Sequence, residues 1–163
     1  MQIDIKKIFK KFLKSKEIYK GKSANEIVKE RFEAYESLKK MFDNIDEMSE
    51  KDFEKILNFE FNKSWSSLHR HKTSIFSDIP RLKKSLKLIL DESLDIKYRF
   101  DRVVNRRGEN HINGIGVAVA SAVLHTYDSK QYGVWNGRSI RALNQLVILP
   151  NKQTGYGLSL IHI

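Results

Sequence analysis

Residues 111–124 read His111-Ile112-Asn113-Gly114-Ile115-Gly116-Val117-Ala118-Val119-Ala120-Ser121-Ala122-Val123-Leu124. Gly114 and Gly116 flank one isoleucine, a spacing that suits a tight hairpin because glycine accepts backbone angles that strain other residues. The residues that follow are mostly alanine and valine, which predicts a helix whose small side chains let a neighbouring element approach closely. A glycine turn that opens into a helix leaves unbonded N–H groups at the positive end of the helix dipole, where a phosphate binds favourably.

This stretch resembles the helix-hairpin-helix of the DNA glycosylase superfamily, which has the endonuclease III-like fold. The family hairpin typically reads Leu-Pro-Gly-Val-Gly before a helix of small residues, and here residues 112–116 read Ile-Asn-Gly-Ile-Gly. The resemblance covers roughly residues 95–149. It implies an all-α, multi-helix domain with a helix-hairpin-helix that is DNA glycosylase-like and binds DNA.

Two positions depart from the family pattern where that pattern places its catalytic groups. The family aspartate corresponds to Asn136, which lies 20 residues beyond Gly116, and the lysine of the bifunctional members corresponds to Ala118. Since an amide offers no pKa suited to a general base, the resemblance implies the fold without its usual catalytic carboxylate. Asp128 is the nearest alternative acid and Asp101 another, so a DNA N-glycosylase activity is left open but not favoured.

The charge of the chain favours a polyanionic partner. Among 163 residues, 30 are Lys or Arg and 20 are Asp or Glu, which gives a net charge of +10. Nucleic acid is the commonest partner of so basic a domain, although a solvated lysine-rich surface would give the same count. With 40% hydrophobic residues, the chain is long enough to form one well-buried domain.

Several classes of protein are disfavoured by composition. The chain has no cysteine, which excludes disulfides, thiol catalysis, cysteine-ligated zinc and the iron–sulfur cluster of some endonuclease III-like enzymes. No apolar run approaches the roughly 20 residues that span a bilayer, and no signal peptide is evident. We therefore expect a cytoplasmic protein with no membrane partner and no cofactor.

The residues before the hairpin predict a helical scaffold. Apolar residues recur at helical spacing over residues 3–20, where a lysine face accompanies them, and over a long stretch from Ser23 to about residue 44. A basic amphipathic helix can bind a membrane or nucleic acid, but we expect the first one to pack into the core. Further helices are expected after Ser49, Asp78 and Asp95, with a polar aromatic loop at 61–72.

Glycine usage divides the chain. Gly21 is the sole glycine before Gly108, and seven glycines lie from Gly108 onward. Special backbone geometry is therefore concentrated near the hairpin. This predicts an N-terminal helical scaffold over 1–94 and a helix-hairpin-helix region over 95–157, within the same domain or closely packed on it. No alternating pattern predicts a strand.

The candidate DNA-binding residues fall in two groups. The hairpin amides would face one phosphate and nearby basic side chains would add charge, which positions a protein without reading sequence. This first group comprises Arg106, Arg107, His111, Gly114, Gly116, Val117, Ala118 and Arg138. A second group of possible groove contacts comprises Trp65, His69, Arg70, His71, Lys72 and Trp135, since basic residues beside aromatic ones suit nucleic acid.

Several of these candidate residues also have a purely structural explanation. Asn136 is better explained as the N-cap of a helix over 138–143, and both tryptophans could simply be packed. Two histidines without a carboxylate set do not make a metal site, so no metal is expected.

The last six residues, Leu-Ser-Leu-Ile-His-Ile at 158–163, resemble the translation of a sequencing-library adapter. If they are, the natural chain diverges near Gly157, and an attached or partner nuclease or ATPase domain would define its role. We expect a sequence-nonspecific DNA-binding protein, as part of a DNA repair or restriction-type defence system. A monofunctional DNA glycosylase and a non-catalytic protein-interaction domain are the alternatives; the sequence specifies no oligomeric state.

Overall fold

The chain folds into helices joined by turns. The computed structural model describes residues 4–15, 20–65 and 68–145, and in these ranges it contains no β-strand, which confirms the predicted all-α class. The helices are α1 (Ile5–Leu13), α2 (Ala24–Phe42), α3 (Glu50–Leu57), α4 (Phe59–Asn62), α5 (Lys72–Ile75), α6 (Ile79–Leu90), α7 (Ile96–Val103), α8 (Val117–Tyr127) and α9 (Gly137–Gln145). Two 3-10 turns lie at Ile45–Glu47 and Leu68–His71, the second inside the segment predicted to be a loop.

Capping side chains fix where two of these helices begin. The Glu26 carboxylate accepts a hydrogen bond from the Ser23 N–H at 2.8 Å, while the Ser23 hydroxyl accepts from the Glu26 N–H at 3.3 Å. Asp78 accepts from the Arg81 N–H at 2.9 Å, and Pro80 lies in the first turn of α6. Such bonds satisfy N–H groups that have no partner inside the helix, so both predicted helix starts are confirmed.

One hydrophobic core joins the scaffold helices to α7 and α8. Helix α8 packs on α2 and α6, and α6 also packs on α7. The buried side chains at the centre of this cluster come from both halves of the chain: Leu38, Phe53, Leu86, Ile89, Phe100 and Leu124. The small buried residue Ala120 of α8 also belongs to this cluster, so the helix that follows the glycine turn packs closely on the core.

A buried arginine ties the end of α6 to the segment after α8. The Arg99 guanidinium donates to the Ile89 carbonyl at 2.8 Å and to the Tyr132 hydroxyl at 3.3 Å. That hydroxyl donates in turn to Glu92 at 3.0 Å, and burial raises the pKa of Tyr132. Since a cation is favoured near carbonyls at a helix C-terminus, Arg99 stabilises the end of α6 as well as the packing around it.

The first helix departs from its prediction. It is shorter than the expected 3–20 pattern, and Ile8 and Phe9 are more than half exposed although core packing was predicted for them. Helix α1 contacts α2, but among the described residues no other helix covers the exposed side chains of Ile8, Phe9 and Phe12. Within the described residues, no helix is long and apolar enough to cross a membrane.

Candidate nucleic-acid interface

Two buried isoleucines anchor the glycine turn that precedes α8. Ile112 and Ile115 are each 4% exposed, and the Ile115 N–H donates to the Ile112 carbonyl at 3.0 Å. Asn113 and Gly116 are exposed. The isoleucines therefore fix the turn on the core while its outer backbone faces solvent.

Gly114 is required by the shape of this turn. Its φ of +97° is a positive backbone angle, which strains any residue that has a Cβ atom. A Cβ atom there would lie 3.0 Å from Cγ1 of Ile75 and 3.1 Å from Cβ of His71. The glycine thus lets the turn pack directly against α5 and the 3-10 turn before it.

The N-terminus of α8 is open. Gly116 is its N-cap residue with ordinary extended angles, φ −94° and ψ −175°, and it offers no side-chain cap. A Cβ at Gly116 would meet no atom within 4 Å. Among the described residues, no acceptor bonds the N–H groups of Val117 and Ala118. These amides therefore face solvent at the positive end of the helix dipole, as a phosphate seat requires.

The structure brings the basic segment 69–72 to this turn, which the sequence did not predict. Leu68 and Ile75 are buried and anchor the segment, while the residues between them are exposed: His69, Arg70, His71 and Lys72. The Cβ of His71 is one of the two atoms that limit space at Gly114, so the two stretches are in contact. Lys72 is paired with Glu54 at 2.5 Å, whereas Arg70 and His71 form no ion pair with a described carboxylate.

The connection from α7 to the turn carries further cationic residues. Arg106 and Arg107 are exposed and form no ion pair within the described ranges. His111 is half-buried, and its Nδ1 donates to the Val103 carbonyl at 3.2 Å, which binds the connection to α7. Gly108 is needed because a Cβ there would lie 2.3 Å from the Arg102 carbonyl oxygen. The connection is therefore a compact, fixed structure with two free arginines on its surface.

Asn136 caps α9, as the sequence analysis favoured. Its side-chain oxygen accepts from the N–H groups of Arg138 and Ser139 at 2.9 and 3.0 Å. The Asn136 N–H donates to the Ser139 hydroxyl at 2.9 Å. The preceding Trp135 N–H donates to the Ser121 hydroxyl of α8 at 2.9 Å, which places this loop beside the second turn of α8. The N-terminus of α9, unlike that of α8, is thus already occupied.

The two alternative acids have structural partners. Asp128 is the C-cap of α8 and accepts from the N–H groups of Lys130 and Gln131 at 2.9 and 3.2 Å. Eleven residues of helix separate it from the glycine turn, a length of about 16 Å. Asp101 is paired with Lys97 at 2.7 Å. Asp128 therefore lies at the end of α8 opposite the glycine turn, and the Asp101 carboxylate is engaged in an ion pair.

The two tryptophans are both half-buried, in different surroundings. Trp65 is half-buried and stacks on Tyr35 with a centroid separation of 5.9 Å and an interplanar angle of 11°. The Tyr35 ring also meets the His125 ring edge-on at 5.4 Å. Trp135 is half-buried beside α8. No group of three or more His, Asp or Glu side chains within the described ranges could hold a metal ion.

Arg138 belongs to a separate basic groove. This groove, of about 690 Å³, lies between α1, α2, α4 and the start of α9. Its cationic residues are Lys20, Lys22, Arg31, Lys63 and Arg138, with Glu30 and Glu60 among them. The sequence did not predict this groove because its cations come from three separate stretches of the chain, residues 20–31, Lys63 and Arg138, and no local motif joins these stretches.

Comparison of the chain with known protein families, with curated proteins and with solved structures gave no match.

Proposed function

We propose that this protein binds the phosphate backbone of DNA, without reading base sequence, at the open N-terminus of α8. The observation that carries the proposal is the bare, solvent-facing Gly116 followed by amides without acceptors. A phosphate oxygen at that end would accept from Val117 and Ala118 and complete the helix cap.

The surrounding charge supports the same partner. Arg70 and His71 lie on the segment that touches the turn, and Arg106 and Arg107 lie on the connection leading into it. Cationic side chains around a phosphate-binding site increase affinity because counterions are released from the DNA, and this contribution is independent of base identity. A role in DNA repair or in restriction-type defence is part of the proposal and depends on the family resemblance of residues 95–149 alone.

Glycosidic bond cleavage is not part of the proposal. Such a reaction needs a carboxylate near the flipped nucleotide, and Asn136 is an amide engaged in capping α9. The protein-interaction alternative has no specific observation in its favour and becomes an outcome of the binding test.

Binding is tested by fluorescence anisotropy with two labelled duplexes of unrelated sequence. We expect similar affinity for both duplexes. For about three neutralised phosphates, we expect a roughly forty-fold loss of affinity between about 50 and 200 mM salt. Absence of binding at low salt would favour the protein-interaction alternative.

The seat itself is tested by a matched pair of glycine substitutions. Gly116→Val places a branched side chain over the open amides and should weaken binding at least tenfold. Gly137→Val makes the same change at α9, where space is also open but Asn136 already caps the helix, and should leave binding unchanged. Circular dichroism verifies that both variants fold. Equal affinity of the folded Gly116→Val variant and the unmodified protein would show that the phosphate binds elsewhere.

A further inference from the structure

Helix α1 exposes an apolar face that the rest of the described protein does not cover. Ile8 is 56% exposed, Phe9 54% and Phe12 39%, and the two phenylalanine rings stack with centroids 6.4 Å apart. Side chains of this size are normally buried, and a cluster of them on a surface marks a site of interaction.

The lysines of α1 occupy the opposite side of the same helix. At about 100° per residue, Ile8, Phe9, Phe12 and Leu13 fall within an arc of about 140°. The remaining side carries Lys6, Lys7, Lys10, Lys11 and Lys14, all of them exposed. None of these five forms an ion pair with a described carboxylate. The helix is therefore basic on one side and apolar on the other, with both sides accessible.

The basic groove adjoins this apolar face. Phe12 belongs to the exposed cluster and also lines the groove, so the two surfaces are continuous. Within the groove, Lys22 is paired with Glu30 and Lys63 with Glu60, whereas Arg31 and Arg138 have no carboxylate partner among the described residues. Two guanidinium groups without a described carboxylate partner thus line the groove that Phe12 also lines, and they are suited to bidentate contact with phosphate oxygens.

We infer that α1 lies in the interface of an anionic lipid bilayer, with Ile8, Phe9 and Phe12 among the acyl chains and the lysines and groove arginines at the headgroups. A basic amphipathic helix with exposed large apolar residues is the pattern of interfacial membrane binding. The absence of a spanning helix does not bear on this arrangement, because such a helix lies along the surface.

Two other occupants fit less well. A second copy of the chain would bring two sets of five lysines together, and three half-exposed side chains offer only about 300 Å² against about 800 Å² per partner in a stable interface. Nucleic acid would satisfy the lysines but leave the phenylalanines in water. A bilayer with anionic headgroups satisfies both sides of α1 at once.

The experiment is co-sedimentation of the whole protein with vesicles of phosphatidylcholine alone or with phosphatidylglycerol added. We expect binding that requires phosphatidylglycerol. The double variant Ile8→Ser/Phe9→Ser should lose at least tenfold in partitioning. Lys10→Gln/Lys11→Gln should lose about twenty-fivefold, since each lysine at an anionic surface contributes about fivefold. The matched control is Phe32→Ser on α2, which removes a phenylalanine that is 52% exposed and should change nothing.

A second measurement reports insertion directly. Tryptophan at position 9, introduced as Phe9→Trp, should be quenched by lipids with brominated acyl chains beyond the quenching of Trp65 and Trp135 in the unmodified protein. Absence of sedimentation with phosphatidylglycerol vesicles would overturn the inference. So would loss of duplex DNA affinity in Ile8→Ser/Phe9→Ser, or a dimer that this variant disrupts. Gly116→Val should retain vesicle binding, which separates this inference from the DNA-binding proposal.

Discussion

Gly114 and Gly116 are separated by one residue but have different structural roles. Gly114 is fixed by a positive φ and by close contact with Ile75 and His71, whereas Gly116 has ordinary angles and open space around it. The Gly-x-Gly pattern predicted a tight turn correctly. It could not show that one glycine serves the fold and the other leaves a helix end accessible, because the neighbours at Gly114 come from a segment about 40 residues earlier.

Gly114→Ala should therefore destabilise the protein by about 1–2 kcal/mol, since alanine is strained at positive φ and its methyl group crowds two side chains. Urea denaturation measures the change, and Gly137→Ala, at an unstrained and open site, is the control. Equal midpoints for the two variants would contradict the packing described at the turn.

Substitutions at Asn136 separate its role in capping α9 from any role in glycosidic bond cleavage. Asn136→Asp keeps a side-chain oxygen that caps α9, so stability should be retained, whereas Asn136→Ala should cost about 0.5–2 kcal/mol. We expect the unmodified protein to release no base from duplexes that contain uracil, alkylated or oxidised bases.

The assay detects abasic sites after incubation with these duplexes. Base release that disappears in Asp128→Asn would contradict the expectation and support the glycosylase alternative. Activity that appears in Asn136→Asp would show that the rest of a glycosylase site is still in place.

For single helices, the sequence predicted where several of them begin, but it did not predict which of their sides are covered by other helices. Ser23, Asp78 and Asn136 act within three residues of themselves, and these local bonds follow from sequence. Burial of the apolar side of α1 depends on whether another helix packs against it, and the local sequence pattern does not determine that packing. The prediction that α1 packs into the core was wrong for this reason.

The cap of α3 predicts a loss of stability in acid. Hydrogen bonds from Lys55 and Ser49 hold the pKa of Asp52 well below its usual range, and bonds from Ser23 lower the pKa of Glu26. A carboxylate whose pKa is lower in the folded state stabilises the fold above its unfolded pKa, and this stabilisation disappears as pH falls through the folded value. Thermal unfolding should therefore shift to lower temperature from about pH 5 downward.

The variant Asp52→Asn should show a lower Tm at neutral pH and a weaker dependence on acid than the unmodified protein. Glu36→Gln removes an exposed carboxylate without a bonding partner among the described residues and should follow the unmodified protein. Parallel pH profiles for Asp52→Asn and the unmodified protein would show that the cap does not contribute.

The whole molecule is organised around one core that spans the two predicted regions. Leu38 of α2 and Leu124 of α8 are both fully buried in it. Composition and helical spacing predicted the all-α class. They did not predict that the basic segment 69–72 meets the glycine turn, because that contact results from the packing of α5 against the segment before α8.

This common core predicts a single unfolding transition. Leu124→Ala should cost about 2–5 kcal/mol through the cavity that it leaves, whereas Ile8→Ala, at a half-exposed site, should change stability by less than about 0.5 kcal/mol. Fluorescence of Trp65 and of Trp135, each measured with the other replaced by phenylalanine, should follow the same denaturation curve. Separate midpoints for the two tryptophans would mean that the regions unfold independently.

Because the N-cap residue of α8 has no side chain, a substitution there can raise the stability of the protein while it lowers the proposed affinity for DNA. Gly116→Asp would give the helix its own anion, because the carboxylate can accept from the first-turn amides, and would restrict the unfolded chain. The variant should be more stable by about 0.5–1 kcal/mol and yet bind DNA at least tenfold more weakly, since its own charge occupies and repels the phosphate. Selection for stability alone should therefore replace this glycine, and selection for DNA binding should retain it.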